Sequence, residues 1–210
     1  MELTSMMLDL HVHSNYSIDC AEPVEKVVAC ARKKVDGIAI TDHNEIEGAL
    51  RARQLWENVI VGEEVDTHEG EILAYHIQEK IKSRDIDEAI DEIKSQGGLV
   101  GVSHPYDVIR KNAIRKGALA RIMERLDFIE GINARCFFFF NTQAQTLARQ
   151  NTKTMIAGSD AHFAFEVGNA WTEADFELKY IGAIHLAVSP LYPLVRLSAT
   201  KLYKIRKGVW

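Results

Sequence analysis

The strongest constraint on this chain is a repeated order. A short apolar run comes first, then polar residues able to bind metal or move protons, then a helical pattern. Apolar runs that read as strands lie at 6–11 (MMLDLH), 37–41 (GIAIT), 59–65 (VIVGEEV), 71–77 (EILAYHI), 99–103 (LVGVS), 128–133 (FIEGIN) and 154–159 (TMIAGS). Helices are expected over Pro23–Lys34, Ile46–Glu57, Asp85–Gln96, Gly117–Arg125 and Asn141–Gln150. In the third of these, Ile86, Ile90 and Ile93 fall at helical spacing and Gly97–Gly98 supply a stop. Alternation of this kind implies a mostly parallel sheet with crossover helices.

The residues at the strand ends narrow the class further. His11 and His13 end the first, Asp42 and His43 come after the second, and Glu64 closes the third. His104 comes after the fifth, Asn133 and Arg135 end the sixth, and Asp160 and His162 come after the seventh. In a parallel β/α barrel the C-terminal strand ends converge on one face, where active sites are built. Glu71 opens the fourth strand instead, so it reaches that face only if 66–70 (DTHEG) turns the chain back as a hairpin.

Taken singly, many of these residues have ordinary explanations. His68, His76 and His185 read as surface or core histidines, and Asp42–His43 could cap the next helix. His11-Val12-His13 places alternate residues on one face of an extended segment, however, and Asp160-Ala161-His162 repeats that geometry at another strand end. Together with Asp42, His43, Glu64 and His104, these pairs make a metal centre the expected reading. Mixed imidazoles and carboxylates suit Zn, Mn or Fe. The chain offers about twice the three or four ligands that one zinc ion needs, which points to two or three divalent ions sharing carboxylates. Clustered ions of this kind suit phosphoryl chemistry.

The motifs DLHVHS, TDHN, GEE, SHP and GSDAH resemble, in order, the successive signatures of the polymerase-and-histidinol-phosphatase (PHP) family. The resemblance runs from about Leu8 to Trp171. It implies a distorted seven-stranded β/α (TIM-like) barrel with a trinuclear metal site that hydrolyses phosphate esters. By motif position, His11 and His13 would hold a first ion with Glu64 and Asp160. Glu64 would bridge to a second ion held by His104, and Asp19, His43 and His162 would hold the third. Glu64 is preferred to Glu63 because the family's ligand lies two residues after the glycine, here Gly62. Many members carry a histidine where this chain has Glu71, which is expected to serve as an anionic replacement. The segment FIEGINARC resembles the family's stretch ending in Asn-Ala-Arg and makes Arg135 a candidate for substrate phosphate. A hydroxide generated at the metals would attack phosphorus, with Asp42, His43 or Asp160 assisting proton transfer.

Composition supports one globular domain. Of the 210 residues 47% are hydrophobic and 26% charged. One domain over 1–210 is expected, with 175–210 packing on the barrel as a C-terminal extension whose basic end is helical. A net charge of −5 argues against a general nucleic-acid coat and leaves room for a local basic groove. No membrane-spanning run or signal-like N-terminus is visible, so a soluble, cytoplasmic protein is expected. Cys20, Cys30 and Cys136 have no CxxC spacing and read as reduced, small buried residues. The FFFF run at 137–140 reads as a loop that plugs the barrel top or meets another copy, with stacking on a substrate base as the sharper alternative.

The expected substrate is a small phosphorylated molecule, a nucleotide or oligonucleotide end included. A metallo-amidohydrolase or deaminase is the alternative, since those barrels also open with His-x-His, but the terminal Asp-x-His counts against it. A non-catalytic module ranks last, because eight of nine expected ligand positions carry the usual residue types.

Overall fold

The fold was obtained as a computed structural model, which describes residues 5–110, 112–189 and 192–193. The elements run β1 (Met6–Val12), α1 (Val24–Ala31), β2 (Gly37–Ile40), α2 (Glu47–Leu55), β3 (Val59–Thr67), β4 (Gly70–Tyr75), α3 (Ile86–Ser95), β5 (Leu99–Val102), α4 (Lys116–Ile122), β6 (Phe128–Asn133), α5 (Phe138–Gln150), β7 (Thr154–Gly158), β8 (Ala170–Ala174) and β9 (Ile181–Leu186). The seven strands and the five helices expected between residues 6 and 159 are present within a few residues of their places. Strong alternation and clear stops explain this; α3, for example, is capped by Asp85, whose side chain accepts from Asp87 N and Glu88 N.

The strands form one sheet in the order β7-β6-β5-β4-β3-β2-β1-β8-β9. β1, β2 and β3 are parallel, as are β5, β6 and β7. β4 is antiparallel to both β3 and β5, so the chain turns back at 68–69 and Glu71 pairs with Asp66 across the hairpin. The sheet curls until its two halves meet. At one end β8 runs antiparallel to β1 over Met6–Leu8, and Thr172 Oγ1 accepts from Ala157 N of β7 at 2.7 Å. At the other end β1 meets the segment after β7 directly. Asp160 N donates to His11 O at 2.7 Å, and His13 N donates to Ala161 O at 2.9 Å. Gly158 permits this approach, because a Cβ there would sit 2.3 Å from His11 Cβ. The result is a distorted, nearly closed α/β barrel.

Two apolar layers hold it. The larger packs helices on the outside of the sheet, with Val24, Val27, Ala49, Ala89, Ile90 and Ile93 against Val12, Ile38, Val59 and Val100. The smaller fills the barrel, with Leu8, Leu10, Ile60, Leu73, Tyr75, Phe128 and Ile156 in one cluster. On β3, Ile60 and Glu64 share a face, and on β4 so do Glu71, Leu73 and Tyr75. The barrel interior is therefore oily at one end and polar at the other. A register shift between Asp9 and Val12 resets the alternation in β1, so Leu8 and Leu10 join the oily floor while His11 and His13 face the polar end.

Two features differ from expectation. β8 and β9 add to the expected strands; β9 lies at the half-exposed edge and carries little apolar alternation. Part of the stretch expected as an extension therefore belongs to the sheet. α5 starts at Phe138 instead of Asn141, with Phe140 buried and Phe138 and Phe139 exposed, so the FFFF run opens a helix. The basic C-terminal segment expected as a helix lies outside the described residues.

Candidate metal centre

All nine residues singled out as ligands meet at the polar end of the barrel. His11 Nε2 lies 3.1 Å from His13 Nε2 and 3.1 Å from Glu64 Oε2. His13 Nε2 is 3.3 Å from that same Glu64 oxygen and 3.5 Å from Asp160 Oδ1. On one side, His104 Nε2 is 3.2 Å from Glu64 Oε1 and 3.7 Å from Glu71 Oε2. On the other, Asp19 Oδ2 is 2.8 Å from His162 Nε2 and 3.8 Å from His43 Nε2. Glu64 sits at the centre, touching His11, His13, His43 and His104. Glu63 faces the other way and accepts from Ile81 N at 2.9 Å, as strand alternation requires.

These atoms form five sets of three donors, each set mutually within 4.8 Å: His11–His13–Asp160, His11–Glu64–His104, His13–Asp19–His162, His13–His43–Glu64 and His43–Asp66–Glu71. The donor set fits divalent transition ions. Three observations support the fit. Imidazole nitrogens that share one carboxylate oxygen converge as ligands do, and more of them crowd it than its lone pairs can serve by hydrogen bonds alone. Asp160 Oδ1 is buried with no hydrogen-bond partner, although it faces His11, His13 and His162. His104 and Asp160 both hold positive φ, 26° and 55°, a strained backbone that persists where the surroundings enforce it.

A supporting ring fixes the donors, and sequence reasoning missed most of it. Glu130, buried in β6, accepts from His11 Nδ1 at 2.8 Å and from His104 N at 2.7 Å. Asp66 lies 3.1 Å from His43 Nδ1. Ser17 Oγ is 3.3 Å from His13 Nδ1, donates to Asp19 at 3.0 Å and accepts from His43 N at 3.1 Å. Asn133 Nδ2 reaches Glu130 and Asp160. Such partners choose the tautomer that leaves the opposite nitrogen free to ligate. Arg110 closes the ring, pairing with Asp160 and Asp107. A carboxylate inside an apolar strand, such as Glu130, was the signal available; Arg110 lies in a loop with no periodic pattern.

The charge pattern calls for cations. Asp19, Glu64, Asp66, Glu71, Glu130 and Asp160 bring six carboxylates to one place. Burial alone would lower His11, but the charges of Glu64, Glu130 and Asp160 hold its imidazole well above the usual range. Burial likewise opposes His43, yet Glu64 and the hydrogen-bonded Asp66 push it up to about 10. Burial and the Glu64 charge push Glu71 up to about 7. Burial and the Arg135 charge take His162 down to about 3. The carboxylates thus favour positive charge at His11 and His43, where metal ions would take the place of protons.

Two expected roles meet a different geometry. Both oxygens of Asp42 are taken by Ser14, from its N–H at 2.6 Å and its hydroxyl at 2.7 Å, so Asp42 braces the loop after β1 and does not point into the donor cluster. Arg135 is only 3% exposed; Nη1 donates to Asp160 O at 3.2 Å and Nε lies 4.0 Å from Glu166. It stands behind the ligand strand, away from solvent. Cys20 donates to His162 O and Cys136 to Asp107, both as buried thiols. His185 stacks on Trp171 at the sheet edge, far from the cluster in the sheet order.

Comparison with known proteins agrees with this architecture. A profile described as PHP-associated matches residues 139–182. The uncharacterized protein MJ0417 of Methanocaldococcus jannaschii is 31% identical over 209 residues, covering 97% of this chain and 85% of that one. A two-domain Bacteroides vulgatus protein, described as containing a predicted PHP-like metal-dependent phosphoesterase, superposes with a TM-score of 0.68 at 20% identity, over 81% of this chain and 59% of that longer one. This chain belongs to the PHP family. A lesion-specific endonuclease from Pyrococcus furiosus, PfuEndoQ, shares the fold with a TM-score of 0.58 at 15% identity, over 89% of this chain and 60% of that one. No described helix is long and apolar enough to cross a membrane.

Proposed function

We propose that this PHP protein is a metal-dependent hydrolase of phosphate esters. The observation that carries the reading is the sharing of ligands. Four of the five donor sets contain His11 or His13, and Glu64 belongs to two of them, so two or three ions held there would stand side by side in one pocket. Zn, Mn or Fe at His11, His13, Asp19, His43, Glu64, Glu71, His104, Asp160 and His162 would supply the charge that polarises a phosphoryl oxygen and lowers the pKa of a nearby water.

The chain's own residues do the rest. Glu130 and Asp66 hold Nδ1–H of His11 and His43, which keeps each Nε2 lone pair aimed inward. Asp19, one-third exposed like Asp66 and bonded to His162, is placed to pass protons out to solvent. His43 and Asp160 stay as proton-transfer candidates, and Asp42 drops out because Ser14 occupies it. Apolar packing beneath the pocket excludes water from below and strengthens every charge interaction above it. The proposed substrate is a small phosphorylated molecule, with nucleotides and oligonucleotide ends as the first class to test. The Bacteroides vulgatus and Pyrococcus furiosus neighbours, a PHP-like phosphoesterase and an endonuclease by description, support phosphoester cleavage.

The test is hydrolysis by protein reconstituted with Mn, Zn or Fe. Substrates are p-nitrophenyl phosphate, its bis-ester and a nucleotide panel, each with a chelator control. Metal-dependent release of phosphate or of p-nitrophenol is expected. Inactivity on all of these, with amide hydrolysis or base deamination instead, would refute the reading.

A further inference from the structure

The phosphate-binding arginine expected from the sequence, Arg135, is enclosed within the structure, and another guanidinium stands at the pocket. We propose that Arg110 grips the phosphate of the substrate, with Asp107 as the residue that positions it. The inference rests on the phosphoesterase reading and names a group of the same site.

Arg110 lies in the loop after β5, six residues beyond His104. Its Nη2 pairs with Asp160 Oδ2, and its Nε donates to Asp107 Oδ2 at 3.0 Å. Two carboxylates therefore fix the plane of the guanidinium. Its Nη1 makes no hydrogen bond to the described residues, and the side chain is 18% exposed where Asp107 is 3% and Asp160 0%. The side chain is thus held at Nε and Nη2, and it is partly exposed where its two carboxylate partners are buried. Arg135, by contrast, has Nη1 on a main-chain carbonyl and Nε facing Glu166.

Asp107 is itself locked. Its Oδ2 also accepts from Cys136 Sγ at 3.3 Å, its Oδ1 accepts from Ile109 N at 3.3 Å, and its N–H donates to His104 O at 3.0 Å. The turn that presents His104 to the cluster therefore also presents Arg110. Asp160 links the two functions. Oδ1 faces the donor nitrogens while Oδ2 is held by Arg110 and Asn133, so the guanidinium sits one carboxylate away from the ligand nitrogens. A phosphate bound beside Asp160 would lie within reach of this guanidinium, and a planar fork is a preferred partner of phosphate oxygens.

The experiment is calorimetric titration of inorganic phosphate into the Mn-loaded protein, with bound manganese counted in every variant. Wild type, Arg110→Gln, Arg110→Lys, Asp107→Asn and Arg135→Gln are compared. Arg110→Gln is expected to weaken phosphate binding by about ten- to hundredfold, as loss of a charge-assisted hydrogen bond implies, with manganese content unchanged. Arg110→Lys is expected to recover part of the affinity, and Asp107→Asn to lose less than Arg110→Gln. Phosphate affinity in Arg110→Gln equal to wild type overturns the assignment alone. So does a loss in Arg110→Gln that only tracks lost manganese, or a loss confined to Arg135→Gln. Wild type that holds manganese but binds no phosphate, and hydrolyses no phosphate ester, overturns the functional reading together with it.

Discussion

Replacing Glu130 tests how the donor cluster is held. Glu130 accepts from three buried groups: His11 Nδ1 at 2.8 Å, His104 N at 2.7 Å and Asn133 Nδ2 at 3.1 Å. Truncation to alanine would leave His11 Nδ1 and His104 N without an acceptor, at about 1–3 kcal/mol each, while Asn133 Nδ2 keeps Asp160. That is a large share of the roughly 5–15 kcal/mol that holds a typical domain, so Glu130→Ala is expected to fold poorly. Glu130→Gln is the sharper change. If the amide oxygen serves the fixed His104 N–H, the amide NH₂ must face His11 Nδ1. The proton of His11 then moves to Nε2, the atom aimed at Glu64 and His13. If the amide turns over, two donors meet at His104. The first orientation works against ligation at His11, and the second against the backbone that presents His104. Metal affinity is expected to fall by about 10–100-fold, the usual effect of losing such a supporting carboxylate, or about 1.4–2.8 kcal/mol. Competition against a chromophoric chelator gives the affinity, and urea unfolding with EDTA present gives the metal-free stability. Wild-type metal affinity in a folded Glu130→Gln protein would refute the reasoning.

Three further outcomes are expected. Chelation should lower the melting temperature, since binding at a hundred times Kd is worth about 2.7 kcal/mol per site, or several degrees for a chain of this size; an unchanged melting curve counts against a metal centre. Glu71→Gln should remove one ion selectively, read as a fall of one equivalent in elemental analysis, because its Oε2 lies 3.7 Å from His104 while Asn112 can still bond the amide. Gly158→Ala should destabilise the fold by about 1–3 kcal/mol or more, since its Cβ would press on the His11 main chain, and denaturant midpoints measure this directly.

How much of the fold and site is legible in the sequence depends on the kind of signal each residue leaves. His11 and His13 share a face by the period of a strand, whereas the choice of Glu64 over Glu63 comes from the resemblance, by its place two residues after Gly62. The hairpin that brings Glu71 to the pocket is readable from its turn residues. Directions within loops leave no such trace. Arg135 comes after its strand as expected, but the backbone beyond Asn133 folds it behind Asp160. Arg110 enters through a turn built by Asp107, and no periodicity marks it. Asp42 looks like a functional acid because it neighbours His43, yet its hydrogen bonds to Ser14 are a tertiary matter. β9 escapes because a half-exposed edge needs little apolar alternation, and β8 because the residues it buries, Ala170, Thr172 and Ala174, are small and weakly apolar.

The seam between β1 and the segment after β7 bears on the order in which the protein is made. The bonds that close the barrel there belong to ligand residues, Asp160 N to His11 O and His13 N to Ala161 O. A neighbouring bond of the same seam, Ser159 N to Asp9, spans 150 residues. A chain emerging from the ribosome carries His11 and His13 early, but their partners Asp160 and His162 arrive only when most of the sequence has been made. Until then the N-terminal histidines lack half of their donors, and the first strand lacks one neighbour. Completion of the sets that need Asp160 or His162 is therefore a late event, and it coincides with the slowest kind of step, the joining of distant strands.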